Sequence, residues 1–186
     1  MVTIGGTGVM VLGAVAAGVA ALLLALTLRP RLGTVSAVAV AGLLWSLVAI
    51  ALVTLVPTRP DVGIVPAESR SESCSWDYGG PSGGAFDVLG LDQRTLNVLL
   101  FVPAGVFLVL AVGRWWTGLV LAPLGLALLA AYSLGVELTQ LQLARLDRAC
   151  DVTDLVDNIL GAGIGGAIGA LLLPVVRPWR ARRGDH

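Results

Sequence analysis

Five apolar runs organise the chain, at positions 7–28, 35–56, 96–112, 117–136 and 155–173, each ended by charged residues or by glycine and proline. A bilayer crossing takes about 20 apolar residues. Hydrocarbon offers backbone groups no partner, so a run of that length must satisfy its own hydrogen bonds as a helix. The pattern therefore predicts an all-α, polytopic membrane protein: one membrane domain, a bundle of about five transmembrane helices. Pro103 and Pro123 interrupt the third and fourth runs, where neighbouring helices can re-satisfy freed carbonyls. The first run has no basic stretch before it and carries Arg29 and Arg31 after it, so a retained helix is expected, not a cleaved signal peptide.

The polar segments between the runs set an orientation. Arg29 and Arg31 follow the first run, Arg114 the third, and Arg177, Arg180, Arg182 and Arg183 the fifth. Five crossings put all three segments on one side, with Asp185 as the acid among them. Short arginine-bearing loops stay cytoplasmic. The N-terminus is thus expected outside and the basic tail, 174–186, inside. Trp115, Trp116 and Trp179 fall at the same inner boundary, where indole rings prefer to lie. Cys74, in the long loop 57–95, and Cys150, between the fourth and fifth runs, then both face an oxidising space, which predicts a disulfide. That loop reads as a cap tethered by Cys74, Trp76, Tyr78 and Phe86.

Composition narrows the class further. Of 186 residues, 56% are hydrophobic and 13% charged, which excludes a disordered chain and disfavours a soluble enzyme. Twelve basic residues, all arginine, balance twelve acids, so nothing draws the chain to nucleic acid. The single histidine is His186, so the two cysteines have no partners for a structural zinc site. No cofactor is expected. A divalent cation on the oxygens of Asp151 and Asp154 is the one metal site that the residue types would permit.

Chemistry concentrates around the fourth and fifth runs. At 100° per residue, Ser133, Glu137 and Gln140 share an arc of about 60°, as do Asp151, Asp154 and Asn158, with Asp157 further round. Gly161, Gly165 and Gly169 continue down the second face, and glycines four apart allow close helix packing. Carboxylates and amides at this depth should turn inward, away from lipid. Glu137 and Gln140 are then expected opposite Asp154 and Asn158, with Arg148 at the mouth and Asn97 joining from the third run. The plainer reading is that Asp151 or Thr153 caps a helix and the glycines only pack; whether they pack on the fourth run or on a second copy of the chain stays open.

These residues resemble the VanZ-like family of bacterial membrane proteins. The resemblance rests on Glu137-x-x-Gln140 followed by Arg148-x-x-Asp151-x-x-Asp154-x-x-x-Asn158-x-x-Gly161. Thr54-Leu55-x-Pro57 and Asn97-x-x-x-Phe101-x-Pro103-x-Gly105 support it, and together they span roughly residues 43–170. One departure is a longer stretch from Gln140 to Arg148, with Cys150 just after it. The resemblance implies a multi-pass protein of the bacterial cytoplasmic membrane and an accessory role in resistance to the glycopeptide teicoplanin. Two functions from different classes follow. In the first, an envelope factor binds a lipid headgroup, a lipid-linked cell-wall precursor or a lipoglycopeptide, with Asn97, Gln140, Arg148, Asp151 and Asn158 as the ligand-binding groups. In the second, a membrane-embedded hydrolase or transferase works on a lipid-linked glycan or phospholipid. Glu137 and Asp154 would then be the catalytic acid and base, since carboxyls in different surroundings can divide those roles. An ion pathway through the same acids is the weaker third, because no charge lies at mid-membrane depth.

Overall fold

The computed structural model describes residues 6–57, 74–78, 93–142 and 150–176. They form five helices: α1 (Thr7–Leu32), α2 (Thr34–Leu55), α3 (Gln93–Val112), α4 (Gly118–Gln142) and α5 (Val152–Val176). All five are long and apolar enough to cross a membrane. The chain is an all-helical, multi-pass membrane protein. The helices overrun the apolar runs that nucleate them: α4 continues to Gln142, so Glu137 and Gln140 are helical, and α5 starts at Val152, directly after Asp151.

One residue turns the chain between α1 and α2. Gly33 has φ 74°, a left-handed value that costs a side chain little only when there is none. Its N–H donates to the Arg29 carbonyl at 2.9 Å, and its carbonyl accepts from the Ala37 N–H at 3.0 Å, so it closes one helix and opens the next. α1 is the peripheral element and buries only Ala25. It leans on α2, where Trp45 Nε1 donates to the Ala14 carbonyl at 3.0 Å.

α3 and α5 form the centre, and they run parallel. Gln93 meets Asp154, Arg94 meets Asp157, and the carbonyls of Val98, Val102 and Val106 meet Gly161, Gly165 and Gly169. A Cβ on Gly161 or Gly165 would overlap the Val98 or Val102 carbonyl oxygen; one on Gly169 would come within 2.9 Å of the Val106 oxygen. Gly105 returns the fit from α3, lying against the Ala162 carbonyl and 2.8 Å (as an ideal Cβ) from the Gly166 nitrogen. Lipid tails are as apolar as leucine, so helix association here depends on such close backbone approach. The glycine face thus serves α3, a partner that the chain order of α4 and α5 did not suggest.

α2 and α4 complete the bundle around this pair. Ile50, Phe101, Ala104, Leu108, Leu129 and Ala162 form the main apolar core. Tyr132 donates to the Leu47 carbonyl at 2.8 Å, which ties α4 to α2 across it. A second cluster, Ala39, Leu110 and Ala111 with Leu173 and Val176, closes the opposite end. There Arg114 Nη1 donates to the Leu32 carbonyl at 2.6 Å, so the α1–α2 and α3–α4 turns share one end of the bundle. Gly6, Pro57 and the disulfide lie at the other, since the Gly6 N–H donates to the Pro57 carbonyl at 2.8 Å and the bridge sits at the start of α5.

Candidate functional site

The disulfide end is where polar side chains are buried. Glu137 is 3% exposed, Gln140 4%, Asp157 2% and Asn158 3%, in a chain otherwise built from Ala, Leu, Val and Gly. Isolated polar groups are expensive at that depth, so each should have a partner or a use.

Most have partners, drawn from four helices. On α5, Asn158 Nδ2 donates to Ser133 Oγ of α4 at 2.9 Å. Gln140 Nε2 donates to the Thr54 carbonyl of α2 at 3.0 Å. Asp154 accepts from Gln93 Nε2 of α3 at 3.0 and 3.3 Å. Asp157 takes Arg94 in a two-point contact, Nε to Oδ2 at 2.9 Å and Nη2 to Oδ1 at 3.1 Å. Glu137 Oε2 lies at the long limit of 3.5 Å from the Asp151 N–H. The Asp151 carboxylate accepts the Thr153 N–H at 2.8 Å, and its carbonyl accepts the Leu155 N–H at 3.3 Å. Those two bonds make Asp151 the N-cap of α5, the plainer role foreseen for it.

Two buried atoms in this region are unpartnered among the described residues. They are Asn158 Oδ1, an acceptor, and Asn97 Nδ2, a donor. Each such group costs about 1–3 kcal/mol, and one in a native structure calls for an explanation.

A short strap crosses the same end. Cys74 and Cys150 are joined by a disulfide with Cα atoms 4.5 Å apart. Next to it the Ser75 N–H donates to the Cys150 carbonyl at 2.8 Å, and the Val152 N–H donates to the Ser75 carbonyl at 3.0 Å. Tyr78 then meets Arg94, whose Nη2 donates to its hydroxyl at 2.7 Å while the guanidinium stands 5.0 Å from the ring centre. Trp76, expected as a tether, is 79% exposed. Arg148 and Phe86 lie outside the described residues, and among those described no group of acids, cysteines and histidines is placed to hold a metal.

Three groups at this end were not foreseen as part of the site: Gln93, Arg94 and the Thr54 carbonyl. The first two sit just ahead of the third apolar run, level with the acids of α5 once the helices lie parallel. The Thr54 carbonyl lies in the last turn of α2, beyond which no helical N–H follows to claim it, so it can accept from Gln140.

The geometry and the motifs meet in one comparison. The family model for VanZ/LLP1 matches residues 19–175, from α1 to the end of α5. The chain belongs to the VanZ/LLP1 family. No curated protein and no solved structure matches it. The VanZ/LLP1 match takes in every residue of the polar cluster and both cysteines, and leaves out the first turns of α1, which contribute nothing to it.

The Arg94–Asp157 pair gives a direct prediction. Asp157→Leu removes the carboxylate that, among the described residues, is bonded to Arg94 and leaves that guanidinium with Tyr78 as its remaining side-chain partner there. Breaking a pair with one buried member destabilises, while the half-exposed arginine regains water and limits the loss. A melting temperature lower by about 5 °C in detergent is expected. Arg94→Leu with Asp157→Leu should recover part of it, and a double variant no better than the single one would refute the coupling.

Proposed function

We propose that this protein binds the polar portion of an amphiphile at the disulfide end of the bundle, with that end facing outside the bacterial cytoplasmic membrane and the C-terminus inside. The ligand class is a lipid headgroup, a lipid-linked cell-wall precursor or a lipoglycopeptide. In this reading Asn97, Gln140, Arg148, Asp151 and Asn158 contact the ligand, Asn97 and Asn158 through their unpartnered amide atoms. Resistance to glycopeptides such as teicoplanin follows if the protein sequesters the drug or shields its target at the outer surface.

The observation that carries the reading is the pair Asn158 Oδ1 and Asn97 Nδ2, buried and without partners among the described residues. One acceptor and one donor at the junction of α3, α4 and α5 suit a hydroxyl or an amide, the groups that glycans and peptides offer. Buried donors and acceptors in native structures nearly always find a partner, and a bound ligand would supply one to both atoms.

Expression in a teicoplanin-susceptible bacterium tests it. The intact chain should raise the inhibitory concentration, and Asn158→Leu should abolish most of the gain at equal membrane abundance. Full protection by the variant would contradict the role given to Asn158.

One observation favours the hydrolase or transferase as a second reading: Glu137 is buried while Asp154 is half-buried. Carboxyls in unlike surroundings can act as acid and base in turn. Glu137→Gln and Asp154→Asn should then each eliminate turnover of a lipid-linked glycan, whereas a binding protein loses affinity by degrees.

A further inference from the structure

The opposite end of the bundle carries positive charge that the described residues do not neutralise. Arg29 and Arg31 stand exposed in the last turn of α1. Arg114, in the α3–α4 turn, is clamped to the α1–α2 junction through the Leu32 carbonyl, with its guanidinium 5.2 Å from the Trp115 ring centre. Among the described residues no carboxylate pairs with any of the three; the ion pair found there joins Arg94 to Asp157 at the far end. Two buried polar atoms at this end as well lie unpartnered among the described residues. One is Arg114 Nε, and the other is the hydroxyl of Ser36, which is 1% exposed and sits one turn into α2 from Gly33. Trp116 beside them is 96% exposed.

These features call for an anion held at one depth. Guanidinium forks match phosphate oxygens, basic groups between transmembrane helices take anionic headgroups, and an exposed indole belongs at headgroup level. Leu22 and Leu26 precede Arg29 at helical spacing and are 60% and 54% exposed. They offer an acyl chain an apolar track that leads to the arginines. A soluble anion would use the charge but not the track.

We propose that the junction of the α1–α2 and α3–α4 turns is a binding site for an anionic phospholipid. Its phosphate is held by Arg114, Arg29 and Arg31, and an acyl chain runs along α1. The site is separate from the polar cluster at the disulfide end and does not depend on which side of the membrane either end faces.

Native mass spectrometry of the full chain with equal amounts of phosphatidylglycerol and phosphatidylcholine tests this. Wild type should retain phosphatidylglycerol preferentially. Arg29→Gln with Arg31→Gln, which leaves the Arg114 clamp intact, should lower the relative association constant about 30-fold. Arg114→Gln should lower it too, and Asn158→Leu should leave it unchanged. Equal retention of the two lipids, a preference that survives in both arginine variants, displacement by inorganic phosphate, or loss in Asn158→Leu would each overturn the proposal.

Discussion

Gly165→Leu is expected to prevent the bundle from assembling. A side chain at position 165 would overlap the Val102 carbonyl oxygen and come within 3.0 Å of the Val106 nitrogen. Both are backbone atoms of α3, so no rotamer change relieves the clash and the two central helices must separate. Overpacking a tight site usually costs about 1–3 kcal/mol; with rigid helices on both sides the loss should reach about 3 kcal/mol or more. Gly163, two residues earlier, is the matched control, because a Cβ there meets nothing within 4 Å. Gly163→Ala should be neutral or stabilising by up to about 1 kcal/mol through helix propensity. Thermal unfolding in detergent, followed by helicity and by monodispersity on gel filtration, reads both. Equal behaviour of the two variants would show that α3 and α5 do not pack through this face.

Removing the disulfide should have the next largest effect. Cys74 and Cys150 are 76 residues apart in the chain, and the loop-entropy relation gives about 4 kcal/mol for a closure of that length. The gain is smaller in a membrane. The helices between the cysteines stay inserted in the unfolded state, so the loop is already confined and about 2–3 kcal/mol is the reasonable expectation. The loss should be local in structure: without the bridge, Ser75 and Tyr78 release the start of α5 and Arg94, while the α3–α5 contact remains. Denaturant titration of the intact chain with and without reductant, beside Cys74→Ser/Cys150→Ser, measures it. An unchanged midpoint in the reduced protein would refute a stabilising role for the bridge.

The architecture is written in the hydrophobic pattern because the bilayer allows so few solutions. Runs long enough to span must be helices, and the family resemblance lies in the polar residues at their ends. The cysteines could be paired because five crossings put both on one side. Neighbour choice was less legible. Consecutive helices α4 and α5 do meet, through Ser133 and Asn158. Yet α5 spends its glycine face on α3, and this hands Asp154 to Gln93 and Asp157 to Arg94. Helical angles around α5 show which residues share a face; they do not show which helix that face meets. The bond from Gln140 to α2 is hidden from the pattern for a related reason. The arc of Gln140 about α4 matches that of Glu137, but a long side chain near a helix end can reach sideways, and the Thr54 carbonyl was the acceptor within range. Asp151 illustrates the limit of periodicity at a helix start: it stands just before the helix and caps it, where a helical angle has no meaning.

The claim on which the functional reading depends is that the amides of Asn97 and Asn158 serve a ligand. Mass spectrometry of lipids and lipid-linked glycans that remain with the detergent-solubilised protein tests it most directly. The wild-type chain should carry a discrete amphiphile bearing hydroxyl or amide groups. Asn158→Leu, which keeps the branching of the side chain but removes its amide, should carry about tenfold less of it in protein shown to be helical and disulfide-bonded. Bulk membrane lipid in the same proportions from both proteins, with nothing enriched in the wild type, would contradict the account.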